Sequence, residues 1–300
     1  MKEEQKKNRN SRRGVAILLA VAMTGVLTTG VAAQSAWPTE AIYDIRPSRY
    51  ESIPVTVPSG TGWEIGQCYL IHETTYAPLR AFSDAVTEGN VTYDEETRTA
   101  HVEAEGLTLT AQDGAYYLCA NGRYLYTATP IRILEDGRMY VPIRLLARAF
   151  GVEIEWNAQT RSVRVLGEYN PILSGDAYYD EEDLYWLSRI ISAESQGESL
   201  LGQIAVGNVV MNRASHPEYP DTIREVIFDR QYGTQFTPVD NGKIYDTPYY
   251  LSVIAAKLCL EGVTVSDEVL FFYAPAASTS FWIPENREYA FSIGHHDFHY

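Results

Sequence analysis

The sequence has little cysteine. Cys68, Cys119 and Cys259 are the only three among 300 residues, and no two of them have a CxxC spacing. This excludes a disulfide-rich scaffold and a cysteine-based zinc site. Cys68 and Cys119 remain available to pair outside the cell. Cys259 lies in an apolar run, so we expect a buried thiol that packs like a small hydrophobic side chain.

Basic residues are scarce beyond the first residues of the chain. The sequence has 24 Lys and Arg against 39 Asp and Glu, for a net charge of −15. Residues 1–33 alone are net +4, which leaves −19 on the remainder. Nucleic acids and anionic membrane surfaces are bound by clustered Lys and Arg. The composition therefore argues against nucleic acid as a partner.

The first 33 residues have the form of an export signal. Six basic residues precede an uncharged stretch from Gly14 to Ala33. Val31 and Ala33 are small residues suited to cleavage after Ala33, but the stretch is also long enough to remain as a membrane anchor. Both readings stay open, and both place the rest of the chain outside the cytoplasm, secreted or tethered. Residues 34–52 predict a linker.

Residues 53–166 contain an internal repeat. The repeated positions are Tyr76, Pro78 and Arg80 with Tyr140, Pro142 and Arg144, and Tyr93, Thr97 and Arg98 with Trp156, Thr160 and Arg161. Near-constant offsets of this kind indicate a duplication. Each copy predicts a short helix, Arg80–Val86 or Arg144–Phe150, then two strands joined by a turn at Asp94 or Asn157. The two copies predict a small α+β module.

This repeated region resembles the copper amine oxidase N-terminal-like domain, which accompanies many secreted bacterial wall enzymes. The resemblance implies a spacing or interaction module that contacts another protein or the wall. Its histidines, His72 and His101, are far apart and have no cysteine nearby, so we expect no metal here.

Residues 167–183 predict a second linker. Gly167, Pro171 and Gly175 break regular structure, and four acids from Asp180 to Asp183 suit the start of a helix. The remaining residues, 184–300, are expected to form a separate domain, mostly helical with a little sheet.

A glutamate occupies an unexpected position in the first helix of that domain. Leu184, Leu187 and Ile191 form an apolar stripe, and Glu194 is its next member. Burial raises the pKa of a carboxyl group, which is the property that a general acid needs. A glutamate that simply turns to solvent at a helix end is the alternative.

The next residues predict a capped helix. Ser195 to Glu198 have the form of a capping box ahead of a helix over 200–214, so Glu198 is expected to cap it, with a second catalytic carboxylate as the alternative. Further helices are predicted over 222–228 and 247–261, and a strand over 269–273.

The order of motifs resembles the SleB/CwlJ cell-wall hydrolase family over residues 184–300. The matching segments are Ser192-Ala193-Glu194, Gly197-Glu198, Gly202-Gln203, Ala205-Val206, Val209, Asn212-Arg213, Gln235-Phe236, Phe272-Tyr273, Pro275, Trp282, Ile293-Gly294, His296 and Phe298. The resemblance implies a lysozyme-like α+β fold and cleavage between N-acetylmuramic acid and N-acetylglucosamine. It implies a lytic transglycosylase, with spore cortex as the substrate of the best-known members during germination, and places the catalytic glutamate at Glu194.

The implied reaction needs one carboxyl group and no cofactor. Protonated Glu194 would donate to the glycosidic oxygen and then accept the proton of the C6 hydroxyl as a 1,6-anhydro ring closes. Hydrolysis would need a second carboxylate, for which Glu198, Asp240 and Glu285 are candidates.

Five further residues are candidates for binding peptidoglycan. Tyr273 and Trp282 offer aromatic faces, whereas Gln203, Asn212 and Gln235 offer amides. Core packing is the alternative for each. Glu198 and His296 are expected to support the site, and Ala274 stands where relatives commonly have asparagine.

Two other functions remain as alternatives. His295, His296, Asp297 and His299 suggest a metallo-amidase, although adjacent residues of a strand point in opposite directions. The large repeated module and Ala274 suggest a wall-binding scaffold without catalysis.

Overall fold

The computed structural model describes residues 46–57, 63–231, 233–278 and 280–300. The chain divides between Tyr178 and Tyr179 into two compact units, within the predicted linker 167–183. Both units combine helices with strands, so the α+β class is confirmed. The predicted signal or anchor over 1–33 lies outside the described residues. Among the residues that are described, none of the helices has the length and apolar character needed to cross a bilayer.

The N-terminal unit is built mainly from short strands. Its strands are β1 Glu51–Ile53, β2 Val55–Val57, β3 Trp63–Glu64, β4 Cys68–Ile71, β5 Thr74–Pro78, β6 Gly89–Asp94, β7 Thr99–Ala104, β8 Leu107–Gln112, β9 Tyr117–Ala120, β10 Arg123–Tyr126, β11 Arg132–Ile133, β12 Met139–Pro142, β13 Glu153–Asn157 and β14 Ser162–Leu166. Its helices are α1 Leu79–Val86, α2 Ile143–Phe150 and α3 Gly175–Tyr178. The strand orders in its three sheets are β1-β4-β5-β12-β11, β10-β9-β8-β7-β6 and β13-β14-β2-β3.

The helices α1 and α2 begin where the repeated motif predicts them. Each follows a proline that ends a strand, Pro78 or Pro142, and these two strands pair antiparallel with each other. The side chains of Asp94 and Asn157 each accept hydrogen bonds from the backbone N–H groups two and three residues further on. The predicted turns after β6 and β13 are therefore confirmed.

The first two cysteines do not pair. Cys68 lies in β4 and Cys119 in β9, which belong to different sheets, and neither forms a disulfide. The Cys68 thiol is buried and donates to the carbonyl oxygen of Ile65 over 3.2 Å, and burial raises its pKa to about 12. The possible Cys68–Cys119 bridge is therefore wrong. The prediction for Cys259 is confirmed, because its side chain is 1% exposed.

Part of the predicted linker packs on the N-terminal unit. The backbone N–H groups of Asn170 and Ile172 donate to the carbonyl oxygens of Phe150 and Ala149 at the end of α2. Residues 167–172 therefore continue the N-terminal unit as an ordered segment.

The C-terminal unit has a group of helices and one small sheet. Its helices are α4 Glu181–Ser195, α5 Leu200–Ser215, α6 Ile223–Ile227, α7 Thr237–Asn241, α8 Tyr250–Leu260 and α9 Trp282–Asn286, with a 3₁₀ turn at Lys243–Tyr245. Its strands are β15 Phe271–Tyr273, β16 Tyr289–Ile293 and β17 His296–His299, in the antiparallel order β15-β17-β16.

Two of the four helix starts agree with the sequence prediction. The carboxylate of Asp180 caps α4 and the hydroxyl of Thr222 caps α6. The cap of α5 is Ser199, whose hydroxyl accepts from the N–H of Gly202. Thr247 does not start α8, which begins at Tyr250 with Tyr249 as its N-cap.

The helix α5 passes through the centre of the unit. Its residues Ala205, Val206 and Val209 pack against the sheet at Ile293 and Phe298. On its other side Gly207 lets α4 and α8 approach closely. A Cβ atom at Gly207 would lie 2.7 Å from the Sγ of Cys259 and 2.8 Å from the Cδ1 of Ile191.

Substitution Gly207→Ala should therefore destabilise the C-terminal unit. The added methyl group overpacks the contact among the three helices, and we expect a loss of about 1–3 kcal/mol in the free energy of unfolding. Urea denaturation would measure it. Gly197→Ala is the matched control, since a Cβ there meets nothing within 4 Å. Equal stability of the two variants would contradict this packing.

Candidate active site

Glu194 lies in the last turn of α4 with its carboxyl group largely removed from water. The helix buries Leu187, Ile190 and Ile191 completely, and Glu194 extends the same apolar stripe. Desolvation raises the pKa of Glu194 to about 7. No residue within the described ranges forms an ion pair or hydrogen bond with it. A carboxyl group without a counter-ion in such surroundings retains its proton near neutral pH, so the alternative of a fully solvated Glu194 is wrong.

Glu198 does not cap α5. Helix α4 continues through Ser195, whose hydroxyl donates to the carbonyl oxygen of Ile191 over 2.7 Å, so Ser195 is not available as a cap. The Glu198 side chain is 8% exposed and binds His295 instead. Its Oε1 lies 2.8 Å from the His295 Nδ1, and its Oε2 accepts from the His295 backbone N–H over 3.2 Å. Glu198 therefore ties the α4–α5 connection to the turn between β16 and β17.

The glycine before His295 is required by this contact. Gly294 has a φ of +58°, and a Cβ atom there would lie 1.7 Å from the Oε2 of Glu198. Only glycine combines that backbone conformation with so close an approach. The Ile293-Gly294 motif thus has a local physical cause.

His296 packs inside the unit beside the same carboxylate. It is 7% exposed, and its ring meets the ring of Phe272 edge to face at 5.4 Å. Its Nδ1 lies 3.9 Å from the Oε1 of Glu198, without a hydrogen bond. Burial lowers the pKa of His296, which favours the neutral ring. This position fits the predicted supporting role.

The amides of Gln203 and Asn212 are used within the unit. Gln203 is 0% exposed; its Nε2 donates to the Glu198 carbonyl oxygen, and its Oε1 accepts from Ser252. The amide nitrogen of Asn212 donates to two carbonyl oxygens in residues 266–269. Gln203 has no exposed atom for a sugar, so the structure corrects the prediction that it binds substrate. Asn212 is partly exposed, so its contact with substrate stays a prediction.

Arg213 belongs to the Asn212-Arg213 segment, but no role of its own was predicted for it. It is 5% exposed, and its Nε donates to the Leu270 carbonyl oxygen over 2.7 Å. One guanidinium nitrogen reaches the Oε1 of Gln235 at 3.4 Å. Burial lowers its pKa, and the rings of Phe236 and Phe271 lie 5.3 Å from its guanidinium carbon. An arginine within a largely apolar helix is the sequence signal that could have identified it.

The aromatic candidates differ in exposure. Tyr273 is partly buried, and burial together with Asp297 raises its pKa. Trp282 is 51% exposed, with the guanidinium carbon of Arg287 5.4 Å from its ring. The sequence reasoning missed Tyr249 and Tyr250, which are 62% and 73% exposed at the start of α8.

Tyr249 is fixed to the helix that carries Glu194. Its backbone N–H donates to the hydroxyl of Ser192 over 3.1 Å. Ser192 is the first residue of the Ser192-Ala193-Glu194 motif. This hydrogen bond explains structurally why the motif has a buried hydroxyl group there.

The three candidates for a second carboxylate have different environments. Glu198 is bound to His295, as described above. Asp240 forms an ion pair with Arg230 at 2.7 Å. Glu285 is an exposed residue of α9. Glu194 differs from these three in having a carboxyl group whose pKa is raised by desolvation to about 7 and for which no ion pair or hydrogen bond is found among the described residues.

The C-terminal histidines do not converge with other ligands. Within the described ranges, no three side chains of His, Cys, Asp and Glu form a group that would hold a metal ion. His295 is engaged by Glu198, and the Nδ1 of His299 lies 3.1 Å from the Arg287 carbonyl oxygen. The metallo-amidase alternative thus has no ligand set in this part of the chain.

Comparison with known proteins agrees with the division into two parts. Residues 64–165 match the model of the copper amine oxidase N-terminal domain. Residues 197–299 match the model of the cell wall hydrolase family. The second match begins three residues after Glu194.

Individual relatives cover the C-terminal part. The spore cortex-lytic enzyme of Bacillus cereus is 33% identical over 120 residues, which are 40% of this chain and 45% of that protein. The Bacillus subtilis enzyme is 32% identical over 105 residues, 35% of this chain and 33% of that protein. The chain thus spans less than half the length of the curated relatives it matches.

A solved structure is similar over its whole length. It is the catalytic domain of the germination-specific lytic transglycosylase SleB from Bacillus anthracis, 32% identical, covering 43% of this chain and 100% of that chain with a TM-score of 0.38. The C-terminal part of this chain belongs to the cell wall hydrolase family. Glu198 and the β16–β17 turn lie within the residues that match the cell wall hydrolase family.

The stability of this hydrolase domain should depend on the ionisation of Glu194. The folded pKa of about 7 lies above the unfolded value, so the folded state holds the proton more tightly. Stability is then greatest below the unfolded pKa and falls as the pH rises through about 7. The free energy of unfolding of Glu194→Gln, measured relative to that of the wild type, should be about 1–3 kcal/mol higher at pH 8.5 than at pH 4.

Urea denaturation at the two pH values would measure this gain. Glu288→Gln, at an exposed position of the same unit, is the control and should show none. A Glu194→Gln stability difference that is the same at both pH values would contradict the raised pKa.

Proposed function

We propose that this protein is an enzyme that cleaves the glycan strands of peptidoglycan between N-acetylmuramic acid and N-acetylglucosamine. It acts as a lytic transglycosylase with 1,6-anhydro products. The observation that carries the proposal is the desolvated carboxyl group of Glu194, with a pKa raised to about 7, at the helix end of a cell wall hydrolase domain. The names of the relatives, spore cortex-lytic enzymes and a lytic transglycosylase, support it.

Glu194 performs both proton transfers in this mechanism. Its protonated carboxyl group donates to the glycosidic oxygen as the bond from C1 of muramic acid breaks. The carboxylate left behind accepts the proton of the C6 hydroxyl, whose oxygen closes the 1,6-anhydro ring on C1. A raised pKa suits the first transfer, because the group must still carry its proton near neutral pH.

Direct hydrolysis is less well supported. A hydrolase of the common kind uses a second carboxylate to activate water or to attack the sugar. The carboxylates of Glu198 and Asp240 are held by His295 and Arg230. The one-carboxyl mechanism agrees better with these contacts.

The substrate contacts that remain proposed from the sequence are Tyr273, Trp282, Gln235 and Asn212. Tyr273 and Trp282 present aromatic faces suited to sugar rings. Gln235 is partly exposed; its Oε1 accepts from Arg213 and its Nε2 donates to the Gly233 carbonyl oxygen. Trp282, which is 51% exposed, is the most accessible of the four.

The remaining proposals concern organisation and location. The C-terminal part, 184–300, is proposed to be a lysozyme-like catalytic domain, and residues 53–166 a duplicated module. The antiparallel pairing of β5 with β12 and the identical turns at Asp94 and Asn157 support a duplication. The protein acts outside the cytoplasm at the wall or spore envelope, with residues 14–33 as a possible tether and the module as a protein or wall contact.

Substitution Glu194→Gln should abolish glycan cleavage while the protein stays folded, because glutamine keeps the size of the side chain and has no acidic proton. The measurement is mass spectrometry of the muropeptides that the exported chain, residues 34–300, releases from purified peptidoglycan. Products that end in 1,6-anhydro-muramic acid are expected from the wild type and not from the variant.

Glu285→Gln is the matched control for this experiment, because Glu285 is exposed and outside the proposed mechanism. It should release the same products as the wild type. Reducing-end sugars from the wild type would replace the transglycosylase by a hydrolase. A fully active Glu194→Gln protein would refute the mechanism.

A further inference from the structure

The N-terminal unit has an open groove beside α1. Its volume is about 410 Å³, and it lies among the first half of α1, the strands β6 and β7, and the turn between β11 and β12. A space of this size suits a small organic ligand or one unit of a polymer. Its floor is apolar and buried, and is formed by Leu79, Val91, Ala100 and Met139. Polar and aromatic groups lie at its rim.

A small side chain in α1 helps to leave this space open. Ala81 lines the groove, whereas the corresponding position of α2, 64 residues further on, holds Leu145. Leu145 is 6% exposed and packs in the core of the unit. The repeated fold therefore accepts a leucine at a position where the first copy has alanine and keeps a groove.

Two guanidinium groups lie at the rim of the groove. Arg80 is exposed, and its guanidinium group forms no ion pair or hydrogen bond within the described part of the chain. Arg138 is also exposed, and its Nη1 lies 3.9 Å from the carboxylate of Asp136. Asp84 is the one acid among the described lining residues. The rim is therefore net positive on a chain that carries −19 beyond residue 33, and it suits a ligand with carboxylates.

An aromatic ring belongs to the same rim. Tyr93 is 43% exposed and lies on the same face of β6 as the floor residue Val91, two positions before it. The exposed face of an aromatic ring packs well against the C–H groups of a sugar. The carboxylate of Asp84 can accept hydrogen bonds from sugar hydroxyl groups. The groove thus combines an apolar floor with contacts for a sugar ring and for an anion.

One repeating unit of peptidoglycan has all the groups that this groove suits. Its sugar rings have C–H faces for Tyr93, its N-acetyl and lactyl methyl groups fit the apolar floor, and its peptide has carboxylates for Arg80 and Arg138. A neutral polysaccharide lacks those carboxylates, and the charge of the chain opposes nucleic acid. The hydrolase domain of the same chain brings the groove to this polymer at a high effective concentration.

We propose that this groove is a wall-binding site that holds the sugar and the carboxylate-bearing peptide of one peptidoglycan unit. The inference rests on the proposed action on peptidoglycan and goes beyond it, because it concerns attachment to the polymer and involves no bond cleavage. Tyr93 packs on the sugar ring, and Arg80 and Arg138 bind a carboxylate of the peptide. A second attachment of this kind raises the effective concentration of glycan strands around the hydrolase domain.

The test is co-sedimentation of the exported chain with purified insoluble peptidoglycan. All proteins carry Glu194→Gln so that the polymer stays intact, and this parent chain is the reference for each dissociation constant. Arg80→Gln should weaken binding about 5-fold, because it removes a charge-assisted contact at an exposed site. Tyr93→Thr should weaken it about 10-fold through the lost ring. Ala81→Leu should cause a similar loss, about 10-fold, because the larger side chain occupies the groove.

The second copy of the repeat supplies matched controls. Arg144→Gln and Trp156→Thr change the corresponding exposed residues, and neither of these residues lines the groove. Both variants should bind as tightly as the parent chain. Thermal unfolding of each variant would verify that it is folded, and Leu145 already shows that the repeat accepts leucine at the position of Ala81.

Two further measurements identify the ligand group and locate the contact. Peptidoglycan whose carboxyl groups have been converted to methylamides with carbodiimide has no charge for Arg80, so the parent chain should bind it about 5-fold more weakly. Arg80→Gln should bring no further loss on that polymer. Hydrogen exchange with a soluble disaccharide-peptide should slow the backbone amides of residues 79–93 and 133–139, and leave residues 143–156 unchanged.

Two results would overturn the inference. One is equal binding by the parent chain and the three groove variants. The other is an equal loss in the groove variants and in their controls from the second copy, because the effect would then not belong to this groove. A wild type that cleaves no glycan, together with the expected differences in binding, would refute the proposed function and still support the wall-binding site.

Discussion

The site depends on a carboxyl group that the fold removes from water without giving it a counter-ion. Glu194 continues the stripe formed by Leu187 and Ile191, and the described residues offer it no cation or hydrogen-bond donor. An isolated charge in such surroundings has a high desolvation free energy. The carboxyl group therefore retains its proton to a higher pH than a solvated one. The same placement that costs stability at high pH gives Glu194 the property that the proposed general acid needs at neutral pH.

The packing around the end of α4 fixes the position of Glu194. The helix α4 is packed against α8 and α5 through the close approach at Gly207, and its Ser192 also fixes the start of α8. The carboxylate of Glu198 then joins the end of α4 to the small sheet. Glu194 and Glu198 are four residues apart, yet opposite environments give them different tasks.

The sequence predicted the parts that depend on local patterns. Neighbouring residues determine the stripe that ends in Glu194, the helix over 200–214, the helix starts near Asp180 and Thr222, and the repeated turns at Asp94 and Asn157. The comparisons agree with the family resemblance over both parts of the chain.

The errors concern partners that are distant in sequence. Glu198 fits a capping box, but His295 lies 97 residues further on and takes its carboxylate. Gln203 has the chemistry of a sugar ligand, but Ser252 and the Glu198 carbonyl oxygen use its amide. Cys68 and Cys119 lie in different sheets, because strand pairing, which no local sequence pattern reveals, separates β4 from β9. Tertiary contacts of this kind decide what a polar residue does.

The most direct measurement is a titration of the Glu194 carboxyl group itself, by NMR of the exported chain labelled with ¹³C at glutamate carboxyl carbons and assigned with Glu194→Gln. The account predicts one carboxyl resonance, absent from the variant, that titrates with a pKa of about 7. A Glu194 resonance that titrates at the ordinary pKa of a solvated glutamate, about 4.3, would contradict it.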